Sequence, residues 1–139
     1  FDNKETFIDN NIQLVLNRSN LQEWLKAVTA FTAKGTFEGR LINSQPGGND
    51  QFGWHSDTMP GARYEFGLTL HLRPCLYKGA ALEMRDHTSK KPLFEHVEAE
   101  AGDLLIFEVS PRTEHRVTPV ESGEPRLVFT GWFIADPID

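Results

Sequence analysis

Along residues 64–72 the chain alternates: Tyr64, Phe66, Leu68, Leu70 and Leu72 are apolar, and Glu65, Gly67, Thr69 and His71 fill the places between. Successive side chains of a strand point to opposite faces, so this period of two predicts a half-buried strand, with Pro74 ending it. Shorter runs predict further strands at 37–42, 81–85, 94–99, 103–109, 115–120 and 126–134. Turn-forming stretches separate them: the loop 45–53 with Pro46, Gly47, Gly48, Asn49 and Asp50, the polar segment 86–92, and Glu121-Ser122-Gly123-Glu124. One segment has helical period instead. Leu21, Trp24, Leu25, Val28 and Phe31 form a single apolar stripe over about 21–32, with Asn20 as N-cap, Glu23 closing a capping box and Gly35 placed to end it. A helix followed by seven or eight short strands predicts a mainly β domain with one or two flanking helices, built as an antiparallel sandwich or jelly roll with the stripe covering one sheet.

Composition narrows this picture without changing it. A length of 139 residues is one domain's worth, which we divide into a helical flank over 1–36 and a jelly-roll core over 37–135. An apolar fraction of 39% is enough for one core and speaks against disorder. The net charge of -6, with no run of lysine or arginine, lacks the electrostatic footprint of a nucleic-acid binder. Cys75 is the only cysteine, so an intrachain disulfide and a cysteine zinc cluster are both excluded, and a reducing compartment fits. No signal-peptide pattern and no apolar run approaching the ~20 residues of a membrane span is present, so the expected location is cytoplasmic with no membrane partner. Phe1 in place of a methionine reads as the start of a trimmed chain. The oligomeric state is left open.

The candidate chemistry lies in His55-Ser56-Asp57, far upstream of His115 and Arg126. In a strand, His55 and Asp57 share a face, and a jelly roll can bring His115 from a late strand to meet them. Two imidazoles and one carboxylate occupy one face of an octahedral metal and leave positions open, the ligand set of non-haem Fe(II) oxygenases. An inward-pointing Arg126 needs an anion: a dicarboxylate cosubstrate, held by a planar two-pronged fork, or a structural carboxylate such as Glu83 or Asp103. His71, His87 and His96 neighbour charged residues and are expected on the surface.

These residues sit in a longer pattern: Phe52-Gly53-Trp54-His55-Ser56-Asp57, Gly79-Ala80-Ala81-Leu82-Glu83, Ala101-Gly102-Asp103-Leu104-Leu105-Ile106-Phe107, His115-Arg116-Val117-Thr118-Pro119-Val120, Gly123-Glu124-Pro125-Arg126 and Gly131-Trp132-Phe133. In order and spacing the chain from about 40 to 133 resembles the Fe(II)/2-oxoglutarate-dependent dioxygenases, in their prolyl-4-hydroxylase-like branch. The resemblance implies a double-stranded β-helix with catalytic Fe(II) on His55, Asp57 and His115 and the distal carboxylate of 2-oxoglutarate on Arg126. It also implies O2 as co-reactant, succinate and CO2 as co-products, and admits ascorbate as an accessory reductant. Two departures stand out. Where the family often places a tyrosine that touches 2-oxoglutarate, Gln45 stands and is expected to bind it by its amide, and the usual Gly-Gly-x-Leu turn becomes Gly79-Ala80-Ala81-Leu82.

The expected activity is hydroxylation of a C–H bond in a small molecule or a peptide side chain, prolyl among them. Related halogenases lack the aspartate, so Asp57 favours hydroxylation over halogenation. Two other readings compete. A non-catalytic cupin-like jelly roll binding a metal or ligand would carry His-x-His followed by a glutamate, which is missing here. An oxidative nucleic-acid demethylase shares the Trp-His-Ser-Asp look, but expects further arginines after the last histidine and a less acidic balance. Trp54, Met59, Arg63, Tyr64 and Arg73 are expected around the mouth, where they would read a small acid or a peptide, with Arg63 or Arg73 meeting a carboxylate.

Overall fold

The computed structural model describes residues 19–29, 37–49, 52–58 and 64–134. In chain order these form α1 (Ser19–Thr29), β1 (Phe37–Ser44), β2 (Phe52–His55), β3 (Tyr64–His71), β4 (Tyr77–Gly79), β5 (Leu82–Asp86), β6 (Pro92–His96), β7 (Leu104–Glu108), β8 (Thr113–Val117), β9 (Val120–Gly123) and β10 (Arg126–Ile134). The first sheet has the order β1-β10-β3-β7 and the second β2-β8-β5-β6, while β4 and β9 pair by themselves. Every pairing is antiparallel. The chain passes repeatedly from one four-stranded sheet to the other, which is the jelly-roll arrangement expected from the strand pattern.

The first sheet is covered on both faces. Its outer side carries Leu41, Phe66, Leu68, Leu70, Leu104, Ile106, Phe129 and Phe133, closed over by Leu21 and Leu25 of α1. Leu25 is 1% exposed, so truncating it to alanine would cost about 2–5 kcal/mol. Trp24, expected in the same stripe, is 51% exposed and lies off that contact. The described helix runs over Ser19–Thr29, so Asn20 lies within it and is not the cap, and the expected end at Thr32 and Gly35 lies outside the described residues.

The other face of the first sheet carries Arg126, Val128, Thr130 and Trp132 of β10 with Thr69 of β3 and Arg40 and Ile42 of β1, and these line a cavity between the two sheets. This corrects the reading of β3 as half-buried. The polar members of its alternation face an interior cavity instead of solvent, so Gly67, Thr69 and His71 are buried as well.

Two further differences concern strand ends. The strand expected at 115–120 breaks at Thr118 and Pro119, a proline having no N–H for a ladder. Ala80 N donates to Pro119 O and Ala81 N to the Thr118 hydroxyl there. The separate β9 pairs with β4, a strand that the sequence pattern did not reveal. In the departed turn, Ala80 takes a φ of 52°. A left-handed alanine costs on the order of 1–2 kcal/mol, which explains why a second glycine is the usual choice, and its buried methyl packs with Tyr77 and Val120.

Candidate functional site

His55 on β2 stands directly opposite His115 on β8, and the two rings lie 4.3 Å apart between centroids. Asp57 joins them by a different route from the one expected. β2 ends at His55, so strand alternation does not aim the carboxylate; Trp132 does, its Nε1 donating to Asp57 Oδ2 at 2.8 Å. The outcome is the expected convergence. Asp57 Oδ1 is 3.5 Å from His55 Nε2, Oδ2 is 3.4 Å from His115 Nε2, and one ligand atom from each residue falls within 4.8 Å of the others. Ser56 turns aside, its hydroxyl 2.8 Å from that of Thr58.

The orientation of the imidazoles suits a cation. His55 Nδ1 is 2.6 Å from the Gly53 carbonyl. A carbonyl only accepts, so Nδ1 carries the proton and Nε2 presents its lone pair to the shared centre. Burial pushes the His115 pKa down, with Asp57 working against it and His55 adding to it. Neutral imidazoles and an ionised carboxylate are the states a divalent ion requires. The donor set is that of an open non-haem iron site.

Trp54, the residue before His55, points to the outer face of the second sheet. There two guanidinium groups hold its ring: Arg85 is 4.0 Å and Arg116 4.6 Å from the ring centroid. Arg85 donates to Glu114 at 2.7 Å and Arg116 to Glu83 at 2.5 Å across the β5–β8 ladder. Hydrogen bonds from Arg85 and then Lys90 hold the Glu114 carboxyl down at about 2. These contacts support a strand with little ladder of its own, since the β2–β8 register shifts between Phe52 and His55. Trp54 therefore does not belong to the mouth.

At the buried end of the cavity lies Arg126, 5% exposed. Its Nε has no partner among the described residues, and its side-chain hydrogen bond goes to the Tyr77 hydroxyl. Neither carboxylate considered from sequence serves it: Glu83 is taken by Arg116, and Asp103 Oδ2 accepts from the Glu100 backbone. Next to it is His71, expected on the surface and found 4% exposed. Burial, and then the Arg126 charge, push its pKa down to about 4. Its Nδ1 also lacks a partner among the described residues. His87 is exposed and 2.9 Å from Glu114, whereas His96 is half-buried with its ring 5.6 Å from His71.

Between the two ends, Ile42, Leu82, Phe107, Val117 and Val128 make apolar walls, and the Thr69 and Thr130 hydroxyls meet at 3.2 Å. The Phe107 ring packs 4.7 Å from His115 and occupies the space a side chain on Gly67 would need. Tyr64 stacks on Trp132 at 4.8 Å. Gln45 is exposed, donates to Asn43 at 3.4 Å and is not among the cavity-lining residues, and Arg73 is likewise exposed and outside the lining. Met59 and Arg63 lie outside the described residues. Sequence reading missed Trp132, Tyr77, His71 and Arg40. For Trp132 the signal was present, because it follows Arg126, Val128 and Thr130 on the same alternation.

A profile of the 2OG-Fe(II) oxygenase superfamily matches residues 41–134. The chain belongs to that superfamily. Membership implies Fe(II) as the metal and 2-oxoglutarate and O2 as co-substrates, with His55, Asp57 and His115 as the residues that could hold the iron. No curated protein matches the chain. Solved structures do: a Pseudomonas putida prolyl-4-hydroxylase, with TM-score 0.68 and 22% identity over 92% of this chain and 65% of that one. An oxidoreductase of the 2OG-Fe(II) oxygenase family from Burkholderia pseudomallei gives TM-score 0.61 at 14% identity, covering 90% of this chain and 55% of its own. A Trichoplax adhaerens prolyl hydroxylase, solved with a hypoxia inducible factor peptide fragment, gives 0.53 at 17% identity, covering 82% and 54%. The chain thus shares their fold while spanning less than two thirds of each of these chains. Among the described residues no helix is long and apolar enough to cross a membrane.

Proposed function

We propose that this protein is an Fe(II)- and 2-oxoglutarate-dependent hydroxylase acting on a C–H bond of a small molecule or a peptide side chain, prolyl being the first candidate. The observation that carries the reading is the pairing of two features in one cavity. Three donor atoms converge within 4.8 Å of one another, and a buried guanidinium lacks an anion at the far end.

In this reading His55, Asp57 and His115 hold the metal, and three protein ligands leave room for a bidentate oxoacid and O2. When bound, the metal with 2-oxoglutarate and O2 supplies the oxidant for hydroxylation, with succinate and CO2 as co-products. The chain's own part is positional. Trp132 fixes the Asp57 carboxylate and the Gly53 carbonyl fixes the His55 ring. Arg126 holds the distal carboxylate of the cosubstrate, with Tyr77 orienting the guanidinium. The apolar walls exclude water around the reacting bond. Gln45, exposed and turned to Asn43, would need to leave that contact to take the cosubstrate role expected of it.

The structures of a prolyl-4-hydroxylase and of a prolyl hydroxylase with a peptide share this fold and support a peptide or amino-acid-like substrate. The decisive experiment is Arg126→Ala. Losing a charge-assisted pair worth about 1.5–3 kcal/mol should weaken 2-oxoglutarate binding by roughly tenfold to a hundredfold. Metal affinity should stay, because the guanidinium lies beyond the metal ligands. Equal loss of metal and cosubstrate binding would make the arginine structural and sink its assignment.

A further inference from the structure

We propose that Arg40 is the anchor of the primary substrate, holding a carboxylate of that molecule at the rim of the cavity. This rests on the reading of the cavity as an oxygenase site. Arg40 lies on β1 opposite Thr130, on the face that carries Arg126, Val128 and Trp132. It lines the same cavity as the three candidate ligands and Arg126, yet it is exposed where Arg126 is buried. Among the described residues it has no ion pair within 4.0 Å. Glu38 shares its strand face but makes no bridge to it, and the bridges that do form all involve other residues.

The charge balance of the cavity leads to the same residue. Among the described residues its charged lining is Asp57, Arg126 and Arg40, with His55 and His115 as neutral ligands in the proposed metal-bound state. A divalent metal and Arg126 are matched by Asp57 and a dianionic cosubstrate. The loaded centre is then neutral, apart from one positive charge on Arg40. A cavity rim with one uncompensated, solvent-facing guanidinium attracts an anion, and the planar fork of arginine favours a carboxylate.

The positions also separate the two arginines. Ser44, opposite Arg126, is four residues from Arg40 along β1, which places the two on the order of 13 Å apart along the sheet. Trp132, which holds Asp57, is only one alternate position further along β10 than Thr130, about 7 Å. Arg40 is thus nearer to the metal end than to the cosubstrate's distal seat. The Tyr64–Trp132 stack beside it offers an apolar surface for the body of the substrate. The substrate class is a molecule with a free carboxylate next to an apolar or cyclic body, either an amino acid or a peptide with an acidic residue or free C-terminus near the oxidised position. The exposed Arg73, considered from sequence for this role, lies outside the cavity.

The test measures binding, with no turnover. The protein is loaded with Fe(II) and 2-oxoglutarate under anaerobic conditions and titrated by calorimetry with matched pairs. One arm contains N-acetyl amino acids and their carboxamides, and the other short peptides with glutamate or glutamine beside a proline. The expected result is that the acid of at least one pair binds about twofold to fivefold tighter than its amide, the size of a solvent-facing ion pair. Arg40→Gln should abolish that preference, and the control Arg73→Gln should keep it. The arm that responds distinguishes a free amino acid from a peptide. No acid-over-amide preference in either arm, or a preference that survives Arg40→Gln, overturns the proposal. Iron-dependent consumption of 2-oxoglutarate by the unmodified protein is measured separately, so failure of the oxygenase reading is told apart from failure of the anchor.

Discussion

Trp132→Phe isolates the one hydrogen bond that aims the acidic ligand. The indole Nε1 donates to Asp57 Oδ2 at 2.8 Å, and the Asp57 side chain is only 9% exposed, so water has little room to replace it. Phenylalanine keeps an aromatic ring for Tyr64 to stack on and removes only the donor. A hydrogen bond to a charged acceptor contributes about 1.5–3 kcal/mol. Partners of metal ligands typically contribute tenfold to a hundredfold in metal affinity. The two estimates overlap, so the dissociation constant for Mn(II), used as a redox-stable stand-in, should rise by roughly tenfold to a hundredfold. Anaerobic calorimetry reads this directly, with urea unfolding of the metal-free protein alongside. An unchanged metal constant with lower stability would refute the reasoning, because Trp132 would then be a packing residue that merely touches Asp57.

Two further outcomes follow from the same geometry. Gly67→Ala places a methyl against the Phe107 ring, which itself packs on His115; overpacking should cost about 1–3 kcal/mol in urea unfolding, and Phe107→Leu in the same chain should restore most of it. A double variant no more stable than the single one would disprove the contact. The second outcome concerns pH: His71 has a folded pKa of about 4 against 6.5 in the unfolded chain, so the unfolded state takes up a proton that the folded state refuses. Stability from this residue is fully present above 6.5, falls as pH drops towards 4 and is flat below, a difference of about 3 kcal/mol. His71→Asn should flatten that part of the urea-stability profile, and parallel profiles for the two proteins would show the buried imidazole to be charged after all.

The parts legible in the sequence were those governed by period and by side-chain chemistry. Alternation located β3 and gave β10 its bounds, and the helical stripe found Leu21 and Leu25 because a sheet cover must bury one face. The convergence of His55, Asp57 and His115 and the inward turn of Arg126 were readable because few arrangements combine two imidazoles, a carboxylate and an arginine in that order. What escaped depended on which neighbour closes a face. Polar alternation in β3 looked solvent-facing because a sequence does not distinguish water from an internal cavity, and so His71 was misplaced. Trp54 looked like a mouth residue because its flanking histidine faces inward, but the adjacent strand residue must face the other way. The support of Asp57 by Trp132 spans 75 residues of chain, a separation at which no local pattern operates.

The cross-strand placing of His55 and His115 has a mechanical consequence. β2 is four residues long and meets β8 through an interrupted register, so its own ladder gives it little resistance to fraying. An ion shared by those two imidazoles acts as a stitch between the strands. By mass action it adds about 2.7 kcal/mol when its free concentration is a hundred times its dissociation constant. The strand that carries His55 would thereby be fastened by what it binds, and loss of the ion would loosen the edge of the second sheet before the rest of the fold responds.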